Sequence, residues 1–468
     1  MLRALSFSTA LLASACSFTT AGNFEECKTD LDCGTVGACS QGFCLPLPAD
    51  CRREEAGGRV KAFETPDRIP LVALLPLSER GQADDTEVQG LNAMKLAISE
   101  ANDRQGVRNK SFGLFVCNTQ RDRNIAAKQG AWFIENLRVP AVLTSGTGDT
   151  KGVASDPTRL DAGTFIMATS ATGTDLTSVF RTNGSVWRVP PSDLQQARVL
   201  RKLVQTAYPD AGGVRVDVMY VDDDYGSGLG NALTDELLAS GYVSERRPLV
   251  VDDIGKIGPV VTNLANASPR ATVVVALPPY VREIINRARV FRELTRDGGH
   301  QWFLADGAKD PAVLRNEDGG VASTLVELDQ ALGTAPAQGA GGAFAAFRDS
   351  FRTRYGIDPN SFSYTGHNYD ATWLVMLATA AATGTGTVDG PALTSSMGKL
   401  STLTQPPVLL RADSWTQASN DLLQGLSLNV EGASGALDFD GDAGVPSAPY
   451  EVWQVSDGGI RVLRLVNP

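Results

Sequence analysis

Histidine is nearly absent: the 468 residues contain two, His300 and His367. A Ser-His-Asp triad needs one of them beside a nucleophile, and no Gly-x-Ser-x-Gly elbow occurs. Ser396-Met397-Gly398-Lys399 has Ser-x-x-Lys spacing, but no Ser-Asp-Asn or Lys-Thr-Gly segment accompanies it. Hydrolytic chemistry therefore has little support. Positive charge is also short, with 42 Lys and Arg against 53 Asp and Glu and a formal net charge of −11. No basic field exists to displace phosphate counterions, which excludes nucleic acid as a partner. The local run Arg282, Arg287, Arg289, Arg292 alternates with Glu283, Ile284, Ile285, Val290 and Phe291, the pattern of an amphipathic helix with a wet face. Beyond the N-terminus no stretch reaches the roughly 20 apolar residues that a spanning helix needs. No cofactor motif stands out. Asp438-Phe439-Asp440-Gly441-Asp442 lacks the Glu that would complete a calcium loop. Gly226-Ser227-Gly228-Leu229-Gly230 has Gly-x-Gly-x-Gly rather than dinucleotide-binding spacing.

The N-terminus is distinctive. Arg3 precedes an apolar run, Ala4 to Ala13, and small residues lead to Cys16. That is the layout of a secretory signal, and Leu12-Ala13-Ser14-Ala15-Cys16 is similar to a bacterial lipobox, in which the cysteine is acylated. Of seven cysteines, Cys27, Cys33, Cys39, Cys44 and Cys51 crowd together and Cys117 stands apart. Setting aside Cys16 as the lipidated residue leaves six, an even number in an exported chain where disulfides persist. No Cys-x-x-Cys pair and no nearby histidine favour a metal site, so none is expected. The expectation is a small knot spanning Cys27 to Cys44, with Cys51 tethered to Cys117.

From Arg68 onward strands and helices alternate. Ile69-Pro70-Leu71-Val72-Ala73-Leu74-Leu75 is a continuous apolar run, the mark of a strand buried on both faces. Val88, Leu91, Met94, Ala97, Ile98 and Ala101 follow at helical spacing. Strands over 112–117, 141–143, 214–221, 271–277 and 301–304 alternate with helices over 125–137, 228–240 and 280–296. Repeated β-α-β units predict parallel, doubly wound sheets. The break at Trp187-Arg188-Val189-Pro190-Pro191 divides them into two lobes. The stretch 316–342 is rich in Gly and Ala and reads as a loop with one weak helix. Helices follow over 344–355 and 369–382, and a hairpin turning at Asp457-Gly458-Gly459 closes the chain.

Short polar loops follow several predicted strands: Thr144 to Thr150, Ala168 to Thr172, Asp222 to Gly226 and Ala305 to Gly307. In open α/β sheets such loops line the ligand crevice. Each alone is ordinary turn or capping chemistry; four at one edge describe a site.

The order of motifs resembles the type I periplasmic binding proteins, specifically the leucine/isoleucine/valine-binding protein-like family of ABC transporter receptors. The residues that carry this are Gly90-Leu91-Asn92-Ala93, Ala97 to Asn102, Trp187-Arg188-Val189-Pro190, Asp223-Asp224-Tyr225-Gly226, Tyr369-Asp370-Ala371 and Gly435 to Asp440. The resemblance implies an α/β protein of two doubly wound lobes with parallel central sheets, joined by a multi-strand hinge; the small Cys-rich segment that precedes them is additional to the family. With the N-terminal reading, a signal peptide is expected over 1–15 and an anchor, Cys-rich segment and linker over 16–67; the resemblance places a first lobe over 68–190 and 308–440. The second lobe is expected over 191–307 and 441–468. Thr147, Asp149 or Thr150 would hold the carboxylate of an amino acid, and Ser170, Ala171 and Thr172 would meet carboxylate and ammonium. Tyr225 would close from the second lobe, and Asp306 would pair with an ammonium. The implied protein is an exported binding lipoprotein without catalytic residues, cofactor or metal, working with an ABC permease. A ligand sensor or surface-complex subunit of the same fold, and less so a secreted hydrolase, are the alternatives. Peptide mapping without reductant checks the tether: Cys51 and Cys117 should emerge linked, and a free thiol at Cys117 would refute it.

Overall fold

The computed structural model describes residues 25–79, 81–176, 184–316, 320, 325–440, 445–446 and 448–468. The expected signal peptide and the lipidated Cys16 lie outside the described residues. Two sheets organise the rest. The first has the order Val186–Arg188, Phe165–Ala168, Ala141–Thr144, Ile69–Leu75, Phe112–Asn118, Cys51–Glu54. Its neighbours run parallel except Cys51–Glu54, which is antiparallel on Phe112–Asn118. The central strand explains why its sequence is apolar throughout. Leu71, Ala73 and Leu75 pack into a core with Met94, Ala97, Trp373 and Leu377, whereas Val72 and Leu74 pack oppositely with Ala126, Phe133 and Val153. Alternate side chains leave opposite faces of a strand, so burial of both faces demands an unbroken apolar run.

The second sheet has the order Arg246–Leu249, Val216–Val221, Ala271–Val275, Gln301–Leu304, Leu332–Pro336, Tyr450–Ser456, Gly459–Val466. The first five strands are parallel and the final hairpin antiparallel. Its own side chains are likewise buried on both faces, Met219, Val274 and Leu304 in one core and Val218, Val273 and Phe303 in the other. Residues after Pro336 return to the first lobe, where the buried helix Thr365–Thr385 packs on Asp85–Asn102. No single helix among the described residues is long and apolar enough to cross a membrane.

One boundary is corrected. The second lobe does not end near 307, because Leu332–Pro336 pairs with Gln301–Leu304 and with Tyr450–Ser456 inside the second sheet. The return to lobe 1 therefore falls after Pro336. The stretch reads as a loop for a physical reason: its residues must be small. A Cβ on Gly333 would lie 2.3 Å from the Trp453 ring, and Ala335 is fully buried. Val186–Arg188 is the edge strand of the first sheet, and Tyr450–Ser456 lies in the second.

The Cys-rich segment is a hairpin, Gly37–Ser40 with Phe43–Pro46, stapled by Cys27–Cys39 and Cys33–Cys44. The thiols that a metal would need are thus oxidised. Cys51–Cys117 joins the segment to the first sheet, with the two cysteines directly opposite in register. Arg68 adds a second fastening: it hydrogen-bonds Asp30, 2 % exposed, at 2.7 Å and lies over the Phe115 ring.

Gly333→Ala should destabilise the protein by about 1–3 kcal/mol, the usual cost of overpacking. A urea melt checks this; an unchanged midpoint would mean that Trp453 relaxes freely.

Candidate functional site

The lobes face each other across a cleft of about 170 Å³ lined from both sides. On the first lobe the helix Asp85–Asn102 starts at the rim. Its N-cap, Asp84, accepts from the Glu87 backbone N–H at 3.0 Å and pairs with Arg121. That cap points the first turn, with Thr86 and Glu87, into the cleft wall. The loop after Ala141–Thr144 supplies a directed chain. The Gly146 N–H donates to Ser170 Oγ (2.8 Å), Ser170 and Ser145 hydroxyls bond each other (2.7 Å), and Ser145 Oγ donates to Glu87 Oε1 (2.8 Å). Thr147 Oγ1 accepts from the Gly173 N–H at 3.2 Å, and Thr119 donates to Asp149.

On the second lobe Asp223 Oδ1 accepts from the N–H groups of Tyr225 (3.0 Å) and Gly226 (2.6 Å), which fixes the start of the helix Gly226–Ala239. The glycine-rich turn is therefore capped by its own aspartate. Tyr225 donates its hydroxyl to Asp306 Oδ1 (2.8 Å) and accepts from the Gly307 N–H (3.2 Å). Asp306 also accepts from Gln196 Nε2 (2.7 Å) and from Tyr364. Tyr364 holds φ +63°, a left-handed conformation that a bulky side chain rarely adopts and that clusters at functional sites. Polar contacts bridge the gap: Thr86 Oγ1 donates to Asp310 Oδ2 (2.7 Å), Lys151 Nζ meets Asp224 Oδ1 (2.8 Å), and Arg123 lies 3.4 Å from Asp224 Oδ2.

Among the residues singled out from sequence, Thr147, Asp149, Ser170, Tyr225 and Asp306 stand on the cleft wall. Thr150, Ala171 and Thr172 stand behind it. Thr150 is turned inward to donate to the Gly146 carbonyl (2.7 Å), Ala171 is fully buried in the core, and the Thr172 carbonyl accepts from the Asp193 N–H (2.9 Å). Asp306 lines the cleft, and both its oxygens are taken by neutral donors. Glu87, Asp84, Arg121, Asp310 and Tyr364 were not anticipated. Glu87 immediately precedes the apolar helical period that starts at Val88, where an acidic residue reads as a first-turn complement to the helix dipole. Neither histidine lines the cleft: His300 Nδ1 lies 2.9 Å from the Pro269 carbonyl, and His367 is buried in the helix Thr365–Thr385. Ser396 spends its hydroxyl on the Ala392 carbonyl.

The cleft is electrostatically unusual. Burial, reinforced by Asp84 and opposed by Arg121, pushes the Glu87 carboxyl up to about 8. Burial likewise raises Asp149 to about 6 against its bond from Thr119, and Asp310 to about 6 against its bonds from the Ala312 N–H and Thr86. Each acid binds its proton more tightly folded than unfolded. Between the unfolded value and the folded one, the native state holds more protons, so stability falls as pH rises. The melting midpoint of the empty protein should therefore drop between pH 5 and pH 8.5, and Glu87→Gln should remove part of the fall above pH 6. Calorimetric melts across that range check it; a midpoint rising steadily to pH 8.5 in both proteins would contradict it.

Residues 89–458 match the family model described as a receptor family ligand binding region. No curated protein sequence matches the chain. Among solved structures, a leucine-binding protein, LivK, from Thermotoga maritima is 18% identical with TM-score 0.67, covering 86% of this chain and 99% of its own. The branched-chain amino acid transporter substrate-binding protein LivJ from Streptococcus pneumoniae, in complex with isoleucine, is 17% identical with TM-score 0.66, covering 86% and 100%. An ABC transporter solute-binding protein from R. palustris, in complex with benzoate, is 13% identical with TM-score 0.63, covering 86% and 97%. The chain belongs to the receptor family ligand binding region and has the type I periplasmic binding fold of the leucine-binding proteins.

Proposed function

We propose that this protein is an exported solute-binding lipoprotein that closes its lobes on a small polar ligand bearing an amino group, and hands it to an ABC-type importer. The observation that carries the reading is the cleft walled by both lobes, with Thr86–Asp310 and Lys151–Asp224 spanning it. A ligand that touches both walls stabilises the closed arrangement by its differential contacts. Thr147, Asp149, Ser170 and Tyr225 are positioned to meet it, with Asp306 holding Tyr225 in place. The likeness to LivK and LivJ supports an amino acid or a similar compound as the ligand. The likeness to the benzoate-bound protein widens the range of chemistry that the fold accepts. Three disulfides suit an oxidising compartment outside the cytoplasm. Acylation of Cys16 would place the protein at a membrane surface, beside its permease.

A thermal-shift screen of amino acids, amines and small carboxylates tests this, because a ligand that binds only the folded form raises its midpoint. A hit should bind about tenfold or more weakly to Tyr225→Ala by calorimetry, the loss of one good polar contact. A full panel without any shift would overturn the reading.

A further inference from the structure

The cleft carries far more negative than positive charge. The first lobe contributes Asp84, Glu87 and Asp149 to its wall, and the second Asp223, Asp224, Asp306 and Asp310. Against them stand Arg121 and Arg123, and each is engaged: Arg121 pairs with Asp84, and Arg123 with Asp224. Glu87, Asp149, Asp306 and Asp310 have no cation within ion-pair distance among the described residues. Of these, Glu87 is the least satisfied. It is 7 % exposed, Oε1 receives one hydroxyl, and Oε2 has no hydrogen-bond partner among the described residues. A buried carboxylate oxygen without a partner costs several kcal/mol unless a proton or a cation arrives.

The donor side points the same way. A receptor for a carboxylate needs free hydroxyls and N–H groups converging on the anion. Here the Gly146 N–H, Ser170 and Ser145 are consumed in a relay that ends on Glu87 itself. The protein's own carboxylate thus takes the donors, and a ligand carboxylate at this wall would approach Glu87 and Asp149 with only Arg121, already paired with Asp84, to offset them.

We propose that the cleft selects an organic cation, a small amine or diamine rather than an anion, and that Glu87 supplies its counter-charge. This rests on the solute-binding reading above and specifies the ligand class. The groups facing Glu87 are Asp84, Arg121, Ser145 and Asp149. In the empty cleft the Glu87 proton is retained near neutrality, so a bound ammonium displaces it. Alkylammonium groups stay charged well above this range, titrating near 10, so affinity for a cation rises with pH until Glu87 is ionised.

The test uses the full chain with putrescine, agmatine and choline as cations, isoleucine as zwitterion and benzoate as anion, followed by melting and titration calorimetry at pH 6, 7 and 8. At least one cation should bind and benzoate should not, with affinity increasing about tenfold per pH unit at most and more gently above pH 8. Glu87→Gln should lose about tenfold or more of that affinity, the equivalent of one pKa unit of interaction, and flatten the dependence above pH 6. Its empty form should melt no lower than the parent at pH 8, which separates lost binding from lost folding. Binding of isoleucine or benzoate that Tyr225→Ala abolishes, with no cation bound, would overturn the charge assignment and leave the solute-binding reading standing. Cation binding unchanged in Glu87→Gln would overturn the role of Glu87. Failure of every compound in this and the wider panel would remove both readings.

Discussion

Negative charge buried between two bodies is the constraint around which this molecule is arranged. A carboxylate taken out of water must be protonated, surrounded by donors or met by a cation, and the protein uses different answers in one cleft. Asp306 is surrounded: Tyr225, Gln196 and Tyr364 all donate to it. Asp84 and Asp224 are met by guanidinium or ammonium groups. Glu87 has one donor and holds its proton. The first two arrangements rigidify the walls, and the third leaves one carboxyl oxygen of the wall without a hydrogen-bond partner among the described residues.

The walls can be held this way because the loops that bear them issue from sheets buried on both faces. The loop carrying Asp306 and Asp310 is further fixed by Lys309, which forms a fully buried ion pair with Glu451 on the strand Tyr450–Ser456. Breaking one side of such a pair leaves an uncompensated charge, which costs about 3–5 kcal/mol. Burial first, and Lys309 second, push His367 down to about 3, so it stays neutral beside this pair throughout the ordinary pH range. The pH response of the cleft therefore belongs to its carboxyls and not to a histidine at the hinge.

The architecture was largely legible because its signals are local. Ile69–Leu75 is apolar at every position for the reason its two cores show, and Cys117, alone apart from the crowded cysteines, pairs with the last of them, Cys51. Leu332–Pro336 escaped notice because it is selected for smallness under Trp453, and Gly, Ala and Pro spell a loop to any local reading. The site was legible at the level of loops but not of atoms. Thr150 and Ser170 both sit in hydroxyl-rich loops, yet only the fold decides that one faces the cleft and the other a carbonyl. Glu87 was hidden by a more ordinary role: an acid in the first helical turn needs no further explanation until its depth is known.

The Cys-rich segment belongs mechanically to one lobe. Its strand Cys51–Glu54 pairs along the edge of the first sheet, covering backbone groups that an open edge would expose. The disulfide Cys51–Cys117 and the Arg68–Asp30 contact fasten it to the same lobe. Residues 25–54 are thereby made part of the first lobe, and the hydrogen bonds they form with it survive any movement of the second. Whatever holds the chain at its N-terminal side therefore holds the lobe that carries Glu87, Ser145 and Ser170. The second lobe carries Tyr225, and its Asp224 and Asp310 meet Lys151 and Thr86 of the first.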